Sequence, residues 1–518
     1  MKKLSAFALV FLLLMTFTAC GASPAPDPYT DAATITLSDD GVTVEGAEES
    51  AVYTARDIVY YEEGHDFTYG EGEAGDAHSA AEAAEHTVVH IAKAGTYRLS
   101  GTLSRGQIAV DLGDEAEADP NAVVTLILDG VDITCSVAPA IMFYHVYECG
   151  STDNPTKDVD TSAAGANILL AEGSTNTVHG AYVARIYKPE TVVLNEDGTE
   201  VEDAKKLHKY DGAVYSKMTM NVGGEGSLDI FAENEGLDTE LHLTINGGNI
   251  HIFSGNDGIN TNEDGVSVTT INGGSVNIVV TGETGEGDGI DSNGWLVING
   301  GAVTAQACAN SADAGIDSDM GIHINGGTVC ASGHMLDRIE EGGQTYAVFT
   351  FRDRQQGEIT LKNAAGEVVA TAAPENDYSI LIFSTPAMTE GTYSLWRGEE
   401  QLSVMQGGGM GGFGGMMRPE GAMPEDFVPP EGMEMGEPPV DGERPQPPEG
   451  MELPEGMTPP EGMEMGENMT PPKGFDGVDE EKMPRPDGGR GDMGAQVLGE
   501  GAVEFTLAAG GNMFSINN

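Results

Sequence analysis

The sequence predicts an all-β protein whose body is a parallel β-helix, joined to a small C-terminal β-module and a disordered Gly/Met/Pro-rich segment. Three observations carry that reading. The tetrapeptide Ile-Asn-Gly-Gly occurs four times, at Ile245, Ile271, Ile298 and Ile324, with spacings of 26, 27 and 26 residues; so even a period marks a repeat architecture. Each copy is followed by apolar residues two apart: Ile250 and Ile252, Val276 and Ile278, Val303 and Ala305, Val329 and Ala331. That is the period of a strand. Gly supplies 72 of 518 residues and aromatics only 6%, a composition of short strands and turns rather than of long amphipathic helices.

Other repeat folds make demands this sequence does not meet. A propeller blade needs about 40 residues, and a leucine-rich repeat needs its own Leu/Asn pattern. In a β-helix each turn of the chain lays its strands about 4.8 Å above the last, so equivalent residues stack in columns. The repeated Ile then becomes an inner column. Asn246, Asn272, Asn299 and Asn325 become a turn column, where Asn and the following Gly tolerate positive φ.

Taken in chain order, Lys2 and Lys3 precede an apolar run over 4–17, and Thr18, Ala19, Cys20 and Gly21 follow. The run has the length of a signal-peptide core and is short for a membrane span. The residues around Cys20 resemble a bacterial lipoprotein box, with Phe17 where Leu is usual, so 1–20 is expected to be a lipoprotein signal peptide. Cys20 would be acylated, leaving the protein extracellular and anchored to the cell membrane by lipid. Residues 21–33, rich in Pro, Gly, Ala and Ser, form a tether.

Residues 34–85 hold N-terminal strands and an acidic Ala/Gly-rich insertion over 62–85. Strand-like runs lie at 34–44, 87–91, 97–103, 108–112 and 123–133, separated by turn residues. The β-helix is assigned to 86–333, interrupted by a polar, Lys-containing excursion over 178–210. Residues 334–405 form a C-terminal β-module with strands near 346–351, 358–361, 379–383 and 392–396, placed to cap an open sheet edge that would otherwise invite aggregation. Residues 406–495 repeat Pro-Pro-Glu-Gly-Met at Pro429, Pro447 and Pro459. They cannot bury a core and are expected to be a disordered spacer. A terminal strand returns in 496–518, near 502–507.

Charge narrows the partners. With 24 Lys+Arg against 84 Asp+Glu the formal charge is −60, which repels a nucleic-acid backbone or an anionic membrane surface. An anionic ligand would need a cation between it and the protein. After Cys20 four cysteines remain, Cys135, Cys149, Cys308 and Cys330, in no zinc-ligand spacing. They read as buried or spare thiols.

A second ladder runs between the Ile-Asn-Gly-Gly copies: Gly236-Leu237-Asp238-Thr239-Glu240, Gly258-Ile259-Asn260-Thr261-Asn262, Gly289-Ile290-Asp291-Ser292-Asn293 and Gly315-Ile316-Asp317-Ser318-Asp319. Glu235, Asp257 and Asp288 stand immediately before the first three glycines, and Asp313 two places before the last. Stacked one strand spacing apart, these carboxylates repel one another and raise each other's pKa. A hard cation resolves the conflict, since Ca²⁺ takes six to eight oxygens in flexible geometry. The candidate metal-ligating residues are therefore Asp238, Asp257, Asn260, Asp288, Asp291, Asn293, Asp313, Asp317 and Asp319. The alternative is that Asp and Asn only form the corners of the coil.

The order of motifs carries a family resemblance over about 86–405. Gly95-Thr96-Tyr97-Arg98-Leu99-Ser100-Gly101, Leu126-Ile127-Leu128-Asp129-Gly130-Val131, Asp211-Gly212-Ala213-Val214-Tyr215-Ser216, the coils around Asp288-Gly289-Ile290-Asp291-Ser292-Asn293, Phe383-Ser384-Thr385-Pro386 and Gly391-Thr392-Tyr393 resemble the clostridial secreted carbohydrate-binding β-helix proteins. The resemblance implies a right-handed parallel β-helix at the cell surface. It also implies calcium, with polygalacturonate (pectin) as the acidic plant polysaccharide bound and cellulose as a further partner.

Catalysis is the competing class. A polysaccharide lyase needs a base, and in residues 218–337 there are 17 Asp+Glu and no Lys or Arg. Only Lys205, Lys206, Lys209 or Lys217 could reach in from the excursion. His242, His251 and His323 alternate with apolar residues and are expected on outer strand faces. A hydrolase would need one carboxylate pair at a defined separation, whereas the ladder repeats in every coil, which favours a multivalent surface. Trp295 is the only Trp in the repeats, so sugar stacking is a minor contributor. The third reading is a structural adhesin or spacer in which calcium only stiffens the fold.

Overall fold

The computed structural model describes residues 29–60, 77–152, 154–187, 193–194, 201–203, 206–406 and 501–516. The signal-peptide and Cys20 assignments, most of the acidic insertion, the Lys-containing tip of the excursion and the Gly/Met/Pro-rich segment fall outside them. The described residues are all-β, with helix confined to Ala80–Ala83 and the 3-10 turn Asp114–Ala118. Among these residues no helix is long and apolar enough to cross a membrane.

Each repeat contributes strands to three parallel ladders. In one repeat the chain runs through Leu243–Ile245 in the first ladder, Asn249–Ser254 in the second and Ile259–Thr261 in the third, then returns to the first at Val268–Ile271. Pairing between repeats keeps register. In the first ladder Val222, Ile245, Ile271, Ile298 and Ile324 are successive partners. In the second, Ile230, Ile252, Ile278, Ala305 and Ala331 follow one another, and in the third Val214, Leu237, Ile259 and Ile290 do. All of these are at most 1% exposed and belong to one core. Each fully buried aliphatic side chain contributes about 1.5–3 kcal/mol relative to an exposed one, so the columns rather than any single contact hold the repeats together.

The turn after each Ile uses its residues in a fixed division of labour. The exposed asparagines hydrogen-bond one above another: Asn272 Nδ2 donates to Asn246 Oδ1 at 2.9 Å, Asn299 to Asn272 at 2.9 Å and Asn325 to Asn299 at 2.8 Å. The left-handed residue is the second glycine, with φ of +94° at Gly248, +80° at Gly274, +79° at Gly301 and +81° at Gly327. A Cβ on Gly274 would also lie 2.5 Å from Gly248 O. Backbone conformation and close stacking thus both require glycine there.

The parallel stack begins earlier than residue 86, because Ala33–Leu37 pairs in parallel with Gly95–Leu103. Val52–Ala55 pairs antiparallel with Thr87–Ile91 and closes the third ladder at that end. The excursion begins later than residue 178. Thr175–Gly180 is a regular strand of the second ladder with Val178 fully buried, and the chain leaves it to form an antiparallel pair between Val183–Tyr187 and Lys206–Tyr210. Polar residues on both faces, Asn176 inward beneath the bulge at Gly130 and His179 outward, concealed that strand; Asn176 Oδ1 accepts the Gly130 and Val131 N–H groups at 2.9 and 3.0 Å.

At the other end Tyr378–Ser384 pairs antiparallel with Thr328–Gly333, the last strand of the second ladder. Tyr346–Gln355 adds to it, and Gly511–Ile516 adds in parallel to Tyr346–Gln355. The exposed edge is thereby covered. A second antiparallel sheet, including Ile359–Asn363, Val368–Ala372, Gly391–Arg397 and Phe505–Leu507, packs on a separate core around Phe349, Phe383, Phe505 and Phe514. Residues 501–516 therefore supply two strands rather than one.

The glycine preceding each third-ladder strand sits where the chain turns tightly inside the stack. A Cβ on Gly258 would run into Ile278 Cγ2 and lie 2.6 Å from Gly289 O. Gly258→Ala is expected to lower stability by about 1–3 kcal/mol, the usual cost of overpacking. Urea denaturation should show the change. An unaltered midpoint would mean that the corner has room the structure does not display.

Candidate functional site

The nine sequence-predicted ligand residues fall along the third ladder and the corners on either side of it. Asp238, Asn260 and Asp291 are register partners, and Asp317 lies on the next repeat, its N–H bonded to Ile290 O at 2.7 Å. Asn293 and Asp319 stand two residues further along their chains. Asp257, Asp288 and Asp313 occupy the corner before the strands. The fold therefore gathers all nine on one side.

Their hydrogen bonds divide them by task. Asp257 Oδ1 accepts the Asp288 N–H at 2.7 Å, Asp288 Oδ1 accepts the Ala314 N–H at 2.5 Å, and Asp313 Oδ2 accepts the Gly287 N–H at 2.6 Å. Each corner carboxylate spends one oxygen bracing a neighbouring repeat, so the corner-forming alternative is correct for these three in part. Asp238 Oδ1 accepts from Asn262 Nδ2 at 2.5 Å. Asn260 Nδ2 donates to Glu235 Oε1 at 3.0 Å, while Asn260 Oδ1 is buried and accepts no hydrogen bond. Asn293 Nδ2 donates to Asn262 O at 2.9 Å. Asp319 is exposed at the rim.

Electrostatics link these groups. Burial, then Asp288 and Asp291, holds the Asp257 carboxyl well above the usual range. Burial, then Asp317, pushes Asp288 up to about 9, and burial, then Asp337 and Asp291, pushes Asp317 up to about 7. Partial desolvation at the rim, then Asp264 and Asp337, raises Asp319. Among the described residues no three His, Cys, Asp or Glu side chains converge as a metal-binding cluster. The donor set is all oxygen, and its carboxylates come in stacked rows rather than a closed cage. Such a set suits a hard cation that completes its shell with amide, carbonyl and water oxygens.

Residues 85–345 match the family of carbohydrate-binding domain-containing proteins. The chain belongs to that family. A carbohydrate-binding domain-containing protein from Acetivibrio thermocellus is 32% identical over 165 residues, which cover 32% of this chain and 44% of that relative. The chain thus spans less than half the length of the relative it matches. A solved structure described as the polysaccharide lyase-like protein from C. thermocellum, gadolinium derivative, aligns over 57% of this chain and 90% of its own at 22% identity, with a TM-score of 0.35.

All nine ladder residues of this carbohydrate-binding family member lie inside the matched span. Asp264 and Asp337 also act on the ladder electrostatically and were not among the predicted ligands. Asp337 follows the last repeat and accepts the Ser318 N–H at 3.2 Å; Asp264 sits in a turn insertion, where Asn293 Nδ2 reaches its Oδ1 at 3.3 Å. Neither belongs to the repeated pattern, so periodicity gave no signal for them.

The histidines do not assemble a site. His251 is an outward residue of the second ladder, bonded through Nδ1 to Asp229 Oδ1 at 2.7 Å. His323 lies outward on the first ladder, its pKa lowered chiefly by burial. His242 is not on an outer face: it is 1% exposed, its Nδ1 accepts the Val268 N–H at 3.1 Å, and burial pushes its pKa down to about 4. It precedes rather than occupies its strand, which is why alternation misplaced it. Cys135, Cys149, Cys308 and Cys330 are free thiols, with burial pushing Cys135 and Cys330 up to about 12. Of the four lysines named from the sequence, Lys217 is the one whose side chain is described, and it follows the third-ladder strand Gly212–Ser216 rather than lying in the excursion. Its Nζ is 2.9 Å from Glu117 Oε1 and 4.9 Å from the centre of the Tyr144 ring.

The raised carboxylates fix a pH dependence. In the unfolded chain Asp288 and Asp317 ionise near 3.8, whereas in the fold they do so at about 9 and 7. The folded state therefore holds the extra protons, and the stability these groups contribute is present below 3.8 and lost as pH rises through the folded-state values. His242 has the opposite sign, its contribution present above 6.5 and lost as pH falls towards 4. Between pH 6.5 and 9 the aspartates act alone. With chelator present the thermal midpoint should fall across that window, and Asp288→Asn, which keeps an acceptor for the Ala314 N–H, should flatten the fall. A midpoint independent of pH would contradict the assignment.

Proposed function

We propose that this protein is a non-catalytic, cell-surface binder of acidic polysaccharide, polygalacturonate in particular, which it holds through Ca²⁺ on the acidic face of the third ladder. On this reading the three ladders wind as a right-handed parallel β-helix, and acylated Cys20 tethers the protein to the membrane. One observation carries the proposal: burial, together with neighbouring carboxylates that include Asp291, raises the pKa of Asp257, Asp288 and Asp317 on a stretch, 218–337, whose sequence contains no Lys or Arg. Carboxylates brought this close together favour a divalent cation between them.

Neighbouring members of the set Asp257, Asp288, Asp291 and Asp317, with the buried amide oxygen of Asn260, are the residues that would hold cations along the row. A bound cation would supply the positive charge that both the ladder and a uronate carboxylate lack. Asp238, Asp313, Asn293 and Asp319 are placed to support the row from its flanks. Repetition of the row along successive repeats suits a polymer whose charged groups also repeat, where weak sites add by multivalency.

Lys217 keeps the lyase alternative testable, because it is the residue following Ser216, which pairs with Thr239 beside the ladder. Its engagement with Glu117 and Tyr144 supports a positioning role over that of a free base.

The experiment is retention of polygalacturonate by the purified protein, with and without chelator, read together with absorbance from unsaturated product. Chelator-sensitive retention without product is the expected outcome. Asp291→Asn combined with Asp317→Asn should weaken retention about tenfold or more, equivalent to roughly 1.4 kcal/mol. Product formation abolished by Lys217→Ala would replace the binder with a lyase, and the absence of both signals would leave a structural spacer.

A further inference from the structure

The acidic row is not open along its whole length. Its central column continues in register beyond Asp238, where Tyr215 is the partner of Asp238 on one side and of Met142 on the other. Val214 lies in the core, so by alternation Tyr215 faces outward. It is nonetheless fully buried. Tyr210, the last residue of the strand Lys206–Tyr210, stands edge-on to it with ring centres 5.2 Å apart at 85°, and Tyr144 meets Tyr210 at 6.2 Å and 64°. Val183, the register partner of Tyr210, is 1% exposed. The foot of the excursion is thus packed on the outer face of the third ladder, directly beyond the first carboxylate of the row.

Exposure along the row follows from that block. Asp238 is 0% exposed and Asn260 5%, whereas Asp291 and Asp317 are half-buried. At the corner before the strands, Glu235 and Asp257 are buried, and Asp288 and Asp313 half-buried. On the far side Asn262 is buried, Asn293 half-buried and Asp319 exposed. Glu240, half-buried at the start of that column, is tied to the block, its Oε1 accepting the Tyr215 hydroxyl at 3.0 Å. The row therefore closes towards Tyr215 and opens towards Asp319. Three strand spacings, about 14 Å, separate Asp238 from Asp317.

The closed end also holds an acceptor in need of a ligand. Asn260 Oδ1 is buried there and accepts no hydrogen bond. Attraction between charges strengthens as the surrounding dielectric falls, so a cation on that oxygen would hold an anionic partner more firmly than one at the open rim. A polymer lying along the row and anchored at that point cannot run on, because Tyr210 and Tyr215 occupy its path. Only a chain that ends there fits.

We infer that the acidic row binds the end of a polyuronate chain: the terminal sugar seats at the Asp238 and Asn260 end, against the tyrosine block, and the rest of the chain leaves past Asp317. This assignment rests on the acidic-face reading and narrows it, since an open multivalent surface takes a chain anywhere along its length. Binding capacity then follows the number of chains rather than their mass. Each cut of an internal glycosidic bond creates two new chain ends. The protein therefore belongs after a chain-cleaving reaction, retaining its cut products.

The test is calorimetric titration of the purified protein, in calcium, with galacturonate oligomers each of a single length, from short to long. One protein per chain at every length is expected. A number of proteins per chain that grows with length would overturn end binding while leaving the acidic face as the site. A second measurement modifies the two ends of one oligomer separately, by reducing the reducing-end sugar to its alditol or by making the non-reducing sugar unsaturated. One of the two changes should weaken affinity about tenfold or more, and it identifies the end that seats at Asn260. Affinity unaltered by both would overturn the inference. Failure of every oligomer to bind in calcium would remove the acidic-face reading and the chain-end assignment together.

Discussion

Register-true parallel pairing between successive repeats is the constraint on which the rest of this structure depends. From Ser227–Ala232 to Thr328–Gly333 the second ladder has no register shift, so every side chain lies about one strand spacing from its equivalent in the next repeat. Whatever chemistry a position has is thereby multiplied. Ile over Ile gives a continuous dry core, Asn over Asn a hydrogen-bonded column, and Asp over Asn over Asp a row of charge. Glycine is confined to the corners where stacking leaves no volume for a Cβ or demands positive φ.

The same constraint explains why one face is strained and another is not. Stacked amides satisfy each other because each carries donors and acceptors. Stacked carboxylates cannot, because each ionised group has only acceptors and a like charge above and below. Backbone N–H groups relieve Asp257, Asp288 and Asp313 of one lone pair each, but they supply no countercharge. The proposed cation would add the countercharge that these N–H groups do not.

Two interruptions matter as much as the repeats. The segment 146–165 replaces a short return between the third and first ladders, and by folding over Asn221 and Thr244 it turns a flat outer column into a walled groove. The C-terminal strands close the end of the second ladder with an antiparallel partner, so the last repeat has no open edge there. Both devices interrupt the period, and both differentiate one part of an otherwise uniform stack.

The sequence by itself determined the all-β class, the period, the inward columns such as Ile250 and Ile252, and the collection of Asp and Asn residues into rows, because each follows from spacing in a chain of identical repeats. It could not place what breaks the repeat. Asn176 hid a regular strand by bracing a bulge, His242 is buried one residue ahead of its strand against Gly150 of the segment 146–165, and Asp264 and Asp337 joined the acidic network from outside the pattern. Only the tertiary structure decided which carboxylate oxygens brace a neighbour's backbone, and that segment 157–162 lies against the asparagine face. Those outcomes depend on contacts between residues far apart in the chain, for which local period carries no information.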